Sequence, residues 1–284
     1  MGFPGVPDHV SLWGLLLPIR QGFDQYVNKR PVRLLEGIVG PLRDRGPADI
    51  DFVCIRENTE GEYTGLGGRT YVGTPEEVAI QTSLFTRRGT ERVIRYAFEL
   101  AMTRKRRLVS ATKSNALNHS MVCWDEVTAA VAADYPEVAV VTMHVDALSA
   151  RFVLAPQQLD VVVASNLFGD ILTDLGGALQ GSLGLPASAN INPERRFPSM
   201  FEPVHGSAPG RAGKGTANPM AAVWAASMLL EQLGEEEAAG LVISALEHIA
   251  RSGPRTIDLG GSGSTSAVGA AIEQRILGYA ATAQ

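Results

Sequence analysis

Short runs of apolar residues alternate with helical patterns along most of the chain. The clearest strand candidate spans residues 160–165, Asp-Val-Val-Val-Ala-Ser, because a continuous apolar run bounded by polar residues is typical of a buried parallel strand. The clearest helix candidate runs from Thr90, a suitable N-cap, through Arg104. Its predicted apolar face consists of Val93, Ile94, Ala97, Phe98 and Ala101. This alternation predicts an α/β fold.

The remaining elements are predicted by the same rules. Strands are expected at residues 51–55, 108–111 and 138–145, and helices at residues 119–133, 169–181 and 219–233. The sequence Gly65-Leu66-Gly67-Gly68 indicates a turn, and the Pro- and Asn-rich stretch 185–198 carries no predicted helix or strand.

Two aspartates stand near the start of the helix that follows the strand at residues 160–165. Asp170 and Asp174 are four residues apart, so they share one helical face with Cβ atoms about 5–6 Å apart. Two carboxylates beside the carboxyl end of a strand can chelate a hard divalent cation such as Mg²⁺ or Mn²⁺. The alternative is that the acids only favour the positive end of the helix dipole.

Other residues able to do chemistry lie at the ends of predicted strands. Lys113 and Asp146 each follow a strand, and Arg56 ends a third strand, with Tyr63 seven residues later. Each of them alone is typical of a surface or capping group. With the permanent cations of Arg20 and Arg30, they suggest an anionic substrate, a metal ion and acid–base chemistry.

A Gly-rich segment at residues 201–219 precedes the last of these predicted helices. It contains four glycines, one histidine and one lysine, and it ends in Asn218 and Pro219, a natural N-cap and first helical residue. Such a loop lets backbone N–H groups approach a nucleotide closely, although a surface loop with an ordinary helix cap explains the composition equally well. No Gly-x-Gly-x-x-Gly fingerprint of a Rossmann fold occurs in the sequence.

Composition limits the possible classes of protein. The 284 residues are 45% hydrophobic and 19% charged, which is enough for a sizeable core and one or two domains. The 25 basic and 30 acidic residues give a net charge of −5, which argues against general nucleic-acid binding. No apolar run reaches the roughly 18–20 residues that span a bilayer, and Cys54 and Cys123 are typical of reduced core residues. We expect a cytoplasmic protein that binds neither nucleic acid nor membranes.

Six motifs together resemble the metal-dependent β-decarboxylating dehydrogenases of isocitrate, isopropylmalate, D-malate and tartrate, and the resemblance runs nearly end to end. The motifs are RPVR (30–33), IRENTEGEY (55–63), ATKSNAL (111–117), HVDAL (144–148), NLFGDILTDL (166–175) and FEPVHGSAP (201–209). Two further stretches, residues 2–14 and 188–203, are most similar to the D-malate and tartrate enzymes.

The resemblance implies an isopropylmalate dehydrogenase-like α/β fold with two domains and a mixed sheet, not a Rossmann fold. Residues 1–25 and 181–284 are expected to form a large nucleotide-binding domain. Residues 26–180 are expected to form a small domain that carries the substrate and metal site and the dimer interface.

The resemblance also implies roles for individual residues. The substrate-carboxylate arginines are Arg20, Arg30 and Arg56, and the residues that read the substituent of the hydroxy acid are Trp13, Leu16 and Leu17. The metal ligands are Asp170, Asp174 and the partner's Asp146. Tyr63 is the proton donor and the partner's Lys113 the general base. The nicotinamide-dinucleotide loop comprises His205, Gly206, Ser207, Ala208, Pro209 and Asn218.

The implied reaction is oxidative decarboxylation of a small 2-hydroxy dicarboxylic acid, of the D-malate or tartrate type, by a homodimer with shared active sites. Hydride passes to NAD, and Mg²⁺ or Mn²⁺ is required. Gly210 and Arg211 stand where NAD-using relatives commonly have an acid and an aliphatic residue. NADP therefore stays open as an alternative, because Arg211 can tolerate a 2′-phosphate.

Two alternatives accompany this interpretation. Within the class, the chain is a 3-isopropylmalate or isocitrate dehydrogenase. Outside it, the chain is a catalytically impaired fragment or a non-catalytic subunit. The second alternative arises because family members carry an N-terminal segment, ahead of the position of Gly2, that this chain is expected to lack.

Overall fold

The computed structural model describes residues 5–282, and its centre is a mixed β-sheet. The strands of the chain are β1 Val27–Arg33, β2 Asp51–Glu57, β3 Gly67–Thr70, β4 Val78–Gln81, β5 Arg107–Thr112, β6 Ala139–His144, β7 Val161–Ala164, β8 Ala187–Ile191 and β9 Met200–Pro203. Within the described residues, seven strands form one sheet in the order β6-β5-β7-β2-β1-β8-β9, and β3 and β4 form a separate hairpin. The predicted α/β fold with a mixed sheet is confirmed.

The two halves of this sheet differ in strand direction. Strands β2, β7, β5 and β6 are parallel, whereas β1, β8 and β9 are joined by antiparallel pairing. Every residue of β7 is buried, as expected for a parallel strand that is covered on both faces. The functional side chains described below lie near the junction of the two halves.

Helices surround the sheet. They are α1 Asp8–Ser11, α2 Leu17–Gly22, α3 Arg87–Met102, α4 Ser120–Ala132, α5 Val145–Leu154, α6 Asn166–Leu179, α7 Met220–Leu233, α8 Glu236–Ser252 and α9 Thr265–Thr282, with a π-helical turn at Leu12–Leu16 between the first two. Helices α3 and α6 both pack on β2 and β7. Among residues 5–282, no helix combines the length and apolar character that crossing a membrane requires.

The predicted cap of α3 is wrong, although its predicted apolar face is correct. The side chain of Thr86, not that of Thr90, accepts a hydrogen bond from the backbone N–H of Gly89 at 2.9 Å. Thr90 is buried inside the helix. The face formed by residues 93, 94, 97, 98 and 101 is fully buried. The start was misplaced because both threonines satisfy the composition rule for an N-cap.

Helix α6 begins at Asn166, three residues before the predicted start. Asp170 therefore lies beyond the first turn, where the helix dipole stabilises acids only weakly. This weakens the explanation that Asp170 and Asp174 serve only the helix end.

Two loop predictions also need correction. The segment 185–198 contains β8, whose five residues are all buried. The sequence did not predict this strand because its buried serine and asparagine residues interrupt the apolar pattern. Their side chains bond to other polar groups in the interior. Gly67 and Gly68, predicted to lie in a turn, belong to β3.

The proposed division into two domains stays a prediction. Strands β8 and β9, from the segment 181–284, continue the sheet that begins in the segment 26–180, because β8 pairs with β1. The sheet therefore runs without interruption across the predicted boundary.

Gly176 allows α6 to lie close to β1. A Cβ atom at Gly176 would stand 2.6 Å from Cγ2 of Val32, a buried β-branched residue with little rotamer freedom. We expect Gly176→Ala to lower the free energy of unfolding by about 1–3 kcal/mol. Gly240→Ala is the matched control, because nothing lies within 4 Å of a Cβ atom there, and it should stabilise the protein by up to about 1 kcal/mol. Urea unfolding measures both, and wild-type stability of Gly176→Ala would contradict this packing.

Candidate active site

One cavity of about 130 Å³ brings together most of the residues predicted to bind substrate. It lies where α2, β1, β2, α6 and β9 meet. Its lining comprises Leu12, Leu16, Leu17, Arg20, Arg30, Arg56, Tyr63, Asp170, Ser188, Glu202, Pro203 and Val204. The lining therefore combines three leucine side chains with three guanidinium groups.

Asp170 is the common partner of two of the arginines and of Tyr63. Arg30 and Arg56 project from the adjacent antiparallel strands β1 and β2. Nη1 of Arg30 lies 3.4 Å from Oδ1 of Asp170, which Arg56 also contacts. The hydroxyl of Tyr63 donates to Oδ2 of the same carboxylate at 3.0 Å.

The arginines are held by neutral partners as well. Nε of Arg56 donates to Oδ1 of Asn166 at 3.0 Å, and Nη1 of Arg30 donates to Oγ1 of Thr173 at 2.5 Å. Both partners lie on α6. Gly169 of the same helix packs directly on Arg56, because a Cβ atom there would come within 2.6 Å of its side chain. Helix α6 therefore holds the guanidinium groups of Arg30 and Arg56 in position.

The electrostatics of the cavity are dominated by cations removed from water. Burial lowers the pKa of Arg30, and the nearby charge of Arg56 lowers it further. Burial also opposes ionisation of Asp170, but the charges of Arg56 and Arg30 outweigh it, so the pKa of Asp170 is lowered. Burial and the charge of Asp170 raise the pKa of Tyr63. Tyr63 thus keeps its proton at neutral pH.

Asp174 lies one helical turn beyond Asp170. Burial and the charge of Asp170 raise the pKa of Asp174. Two carboxylates that repel each other are a suitable pair of hard oxygen ligands for a divalent cation. Within residues 5–282, no group of three or more His, Cys, Asp or Glu side chains is arranged to hold a metal ion. Asp170 and Asp174 alone therefore do not complete a cation site within the part of the chain that the structure describes, and their role as metal ligands stays a prediction.

Lys113 and Asp146 do not line this cavity. Lys113 follows β5 and Asp146 follows β6, and these neighbouring parallel strands end at the same edge of the sheet. Nζ of Lys113 lies 2.8 Å from Oδ1 of Asp146, and its hydrogen bond lowers the pKa of that carboxyl. Asp146 is largely exposed. The structure thus brings the two predicted partner-site residues together with each other and not with Asp170.

Trp13 is also placed outside the cavity. Its ring lies against Gly65, where a Cβ atom would come within 3.1 Å of Cζ3, and 48% of the residue is exposed. Leu12 takes part in the lining instead. It precedes Leu16 by four residues, a helical spacing that could have identified it. Glu202 was missed as well, although an acid inside the apolar sequence Phe-Glu-Pro was a usable signal.

A second cavity, of about 490 Å³, is lined by the predicted dinucleotide loop. His205, Gly206, Ala208 and Asn218 line it together with Arg211. Ser207 and Pro209 belong to the same loop but are not part of the lining. The side chain of Asn218 accepts a hydrogen bond from the backbone N–H of Met220 at 3.0 Å, so it caps α7 as predicted.

Asp258 is a lining residue of this cavity that the sequence did not reveal. Oδ2 accepts hydrogen bonds from Ser182 at 2.5 Å and from Asn218 at 3.0 Å, and Oδ1 accepts one from Thr256 at 2.5 Å. One carboxylate therefore ties together three segments of the cavity wall. Burial opposes its ionisation, but these three hydrogen bonds outweigh burial and lower the pKa of Asp258.

Comparison with known proteins gives a consistent family match. A family model described as isocitrate/isopropylmalate dehydrogenase matches residues 6–272. A probable tartrate dehydrogenase/decarboxylase from Agrobacterium vitis is 54% identical, over 98% of this chain and 78% of its own length. The decarboxylating D-malate dehydrogenase of Escherichia coli K12 is 55% identical, over 98% of this chain and 79% of its own length.

A solved structure has the same fold. The crystal structure of isocitrate dehydrogenase from Methylococcus capsulatus superposes with a TM-score of 0.86 and 37% sequence identity. The match covers 92% of this chain and 76% of that chain.

The three hydrogen bonds of Asp258 generate a pH-dependent prediction. Because its pKa is lowered in the folded protein, the carboxylate stabilises the fold above its unfolded pKa of about 3.9, and this contribution is lost as the pH falls through the folded pKa. Asp258→Asn should therefore lower the free energy of unfolding at pH 7 by about 1 kcal/mol. The difference from wild type should shrink below about pH 4. Urea unfolding across pH measures it, and a constant difference would contradict the assignment.

Proposed function

Because the chain belongs to the isocitrate/isopropylmalate dehydrogenase family, we propose that it oxidatively decarboxylates a small 2-hydroxy dicarboxylic acid of the D-malate or tartrate type. The proposed hydride acceptor is NAD. The observation that carries this proposal is the cavity of about 130 Å³ that is lined by three buried arginines and three leucines. Arginine forks bind carboxylates in pairs of hydrogen bonds, so the cavity suits a compact dianion.

Aliphatic side chains in the lining support the choice of substrate. Leu12, Leu16 and Leu17 line the cavity together with the arginines. A third carboxylate would lose its hydration against leucine side chains without gaining a partner. A tricarboxylate such as isocitrate is therefore disfavoured. The names of the tartrate and D-malate relatives support the same choice.

The chain's own residues suit the acid–base steps. Tyr63 is protonated and lines the cavity, where its hydroxyl contacts Asp170, so it can donate a proton to the enolate that forms as carbon dioxide leaves. Lys113 of the partner subunit is proposed as the base that accepts the proton of the substrate hydroxyl. When bound, a divalent cation supplies Lewis-acid polarisation of the substrate oxygen, and the dinucleotide accepts the hydride. Asp170 and Asp174, with the partner's Asp146, are the proposed metal ligands.

The second cavity is proposed to hold the dinucleotide. The Gly-rich backbone between residues 205 and 215 allows a close approach of phosphates, and the same loop leads to the N-terminus of α7 at Met220. Arg211 lines the cavity and can bind a 2′-phosphate, so NADP is the alternative hydride acceptor.

We assign residues 1–25 and 181–284 to the nucleotide domain and residues 26–180 to the substrate domain. A cytoplasmic location is also proposed, because Cys54 and Cys123 are free thiols.

A kinetic panel tests the proposal directly. The protein is assayed with D-malate, L-tartrate, isocitrate and 3-isopropylmalate, each with NAD and with NADP, in the presence of Mn²⁺. D-malate or L-tartrate with NAD should give the highest kcat/KM, because the cavity is small and is lined in part by leucine side chains. A preference for isocitrate or 3-isopropylmalate would replace the proposed substrate. No turnover of any acid would favour a non-catalytic subunit.

The metal assignment is tested best at Asp174. Asp170 pairs with two buried arginines, whereas no ion pair of Asp174 is found within residues 5–282. Asp174→Asn should therefore abolish Mn²⁺-dependent turnover without lowering the melting temperature. Asp134→Asn, an exposed acid paired with Arg95, is the control and should stay active. Full activity of the wild type in EDTA, or of Asp174→Asn, would exclude the assignment.

Subunit mixing tests the shared site. If Lys113 and Asp146 serve the neighbouring subunit, mixing inactive Lys113→Ala with inactive Tyr63→Phe restores one intact site in each mixed dimer. Random exchange makes half of the dimers mixed, so about a quarter of the wild-type activity should return. Mixing Lys113→Ala with Asp146→Asn is the control, because neither site is then intact. Equal results for both mixtures would show that each site is built from one chain.

A further inference from the structure

A chain of buried side-chain amides connects two arginines of the substrate cavity. Nε of Arg30 donates to Oδ1 of Asn28 at 2.5 Å, and Nδ2 of Asn28 donates to Oδ1 of Asn190 at 2.9 Å. Nδ2 of Asn190 then donates to Oε1 of Glu202 at 3.1 Å, which also accepts from Nη2 of Arg20 at 3.2 Å. All five residues are at most 6% exposed.

Strand register creates this chain. Asn28 of β1 and Asn190 of β8 are directly opposed partners in the antiparallel ladder. Arg30 stands two residues after Asn28 on the same strand, so both side chains point to the same face of the sheet. Glu202 comes from β9, which pairs with the other edge of β8. Strand β8 therefore carries the amide that joins the neighbouring strands.

The direction of every hydrogen bond in the chain is determined by its two ends. A guanidinium can only donate, so the atom of Asn28 that faces Arg30 must be its carbonyl oxygen. The carboxylate of Glu202 can only accept, so the atom of Asn190 that faces it must be its amino nitrogen. The remaining contact between the two amides then has one possible donor and one possible acceptor. Asn58 adds a second donor to Oδ1 of Asn190 at 3.0 Å.

We propose that Asn190 is a positioning residue that, through Asn28 and Glu202, sets the separation of the guanidinium groups of Arg30 and Arg20. It acts on two cations at once, because its oxygen orders Asn28 and its nitrogen orders Glu202. The separation of the two guanidinium groups determines which dicarboxylate spacing the cavity accepts. This inference rests on the proposed dicarboxylate substrate.

The competing explanation is that Asn190 has a purely structural role. Asn192 provides the control that distinguishes this explanation from the proposal. Asn192 is also buried and follows on the same segment, but both polar atoms of its side chain bond to backbone groups, those of Asp24 and Arg196. Truncating either asparagine leaves buried polar groups without partners and should lower the unfolding midpoint. Only truncation of Asn190 reaches the arginines.

Calorimetric titration of the dimeric protein with D-malate and, separately, with NAD is the first test. Asn190→Ala should weaken D-malate binding about tenfold or more, the effect expected when a hydrogen bond that orients a charged group is lost. Binding of NAD should stay within about twofold, because Asn190 shares no hydrogen bond with a residue that lines the second cavity. Asn192→Ala should leave both affinities within about twofold. Equal D-malate affinities of the two variants would overturn the proposal.

A second test needs no ligand and separates this inference from the proposed function. Side-chain ¹⁵N NMR spectra resolve the Nε signals of buried arginines, and the spectra of Arg20→Lys and Arg30→Lys assign two of them. Both signals should shift in Asn190→Ala and neither in Asn192→Ala. If the wild type binds no dicarboxylate, the proposed function fails, and these spectra still decide whether the chain positions the arginines. Unmoved signals in Asn190→Ala would overturn the inference.

Discussion

Three guanidinium groups, those of Arg20, Arg30 and Arg56, are buried around one small cavity, and the rest of the site follows from the cost of placing them there. Each must lose most of its hydration, and each repels the others. The protein compensates with two carboxylates, Asp170 and Glu202, and with neutral acceptors on α6 and β1. The carboxylates of a bound acid would add further partners for these buried cations.

The mixed sheet positions the charged side chains of the cavity. The antiparallel pair β1 and β2 places Arg30 and Arg56 on adjacent strands, and the parallel pair β2 and β7 places α6 directly over them. Glycines at positions 169 and 176 let that helix approach closely enough for Asp170 and Thr173 to reach the guanidinium groups. A sheet of one strand direction would separate these elements by longer connections. Because β2 pairs antiparallel with β1 and parallel with β7, the arginines of β1 and β2 and the residues of α6 come together in one site.

The sequence predicted the parts of this arrangement that depend on local chemistry. A run of valines identified β7, and the spacing of Asp170 and Asp174 identified their shared helical face. Strand β8 was not predicted, because the hydrogen-bond partners of its buried serine and asparagine side chains are far away in the sequence. Asp258 was missed for the same reason, because its partners Ser182 and Asn218 are distant in the sequence, whereas the acid within Phe-Glu-Pro was a local signal for Glu202 that sequence reasoning did not use. Trp13 was assigned by resemblance, and its ring lies against Gly65 instead.

One short segment of the chain borders both cavities. Glu202, Pro203 and Val204 line the first, and the next two residues, His205 and Gly206, line the second. A change in backbone position in the segment 202–206 alters the walls of both cavities together, so substitutions there must be compatible with both cavities. The leucines at positions 12, 16 and 17 border the first cavity alone. The first cavity can therefore change shape through substitutions at positions 12, 16 and 17, while the segment 202–206 and the second cavity stay as they are.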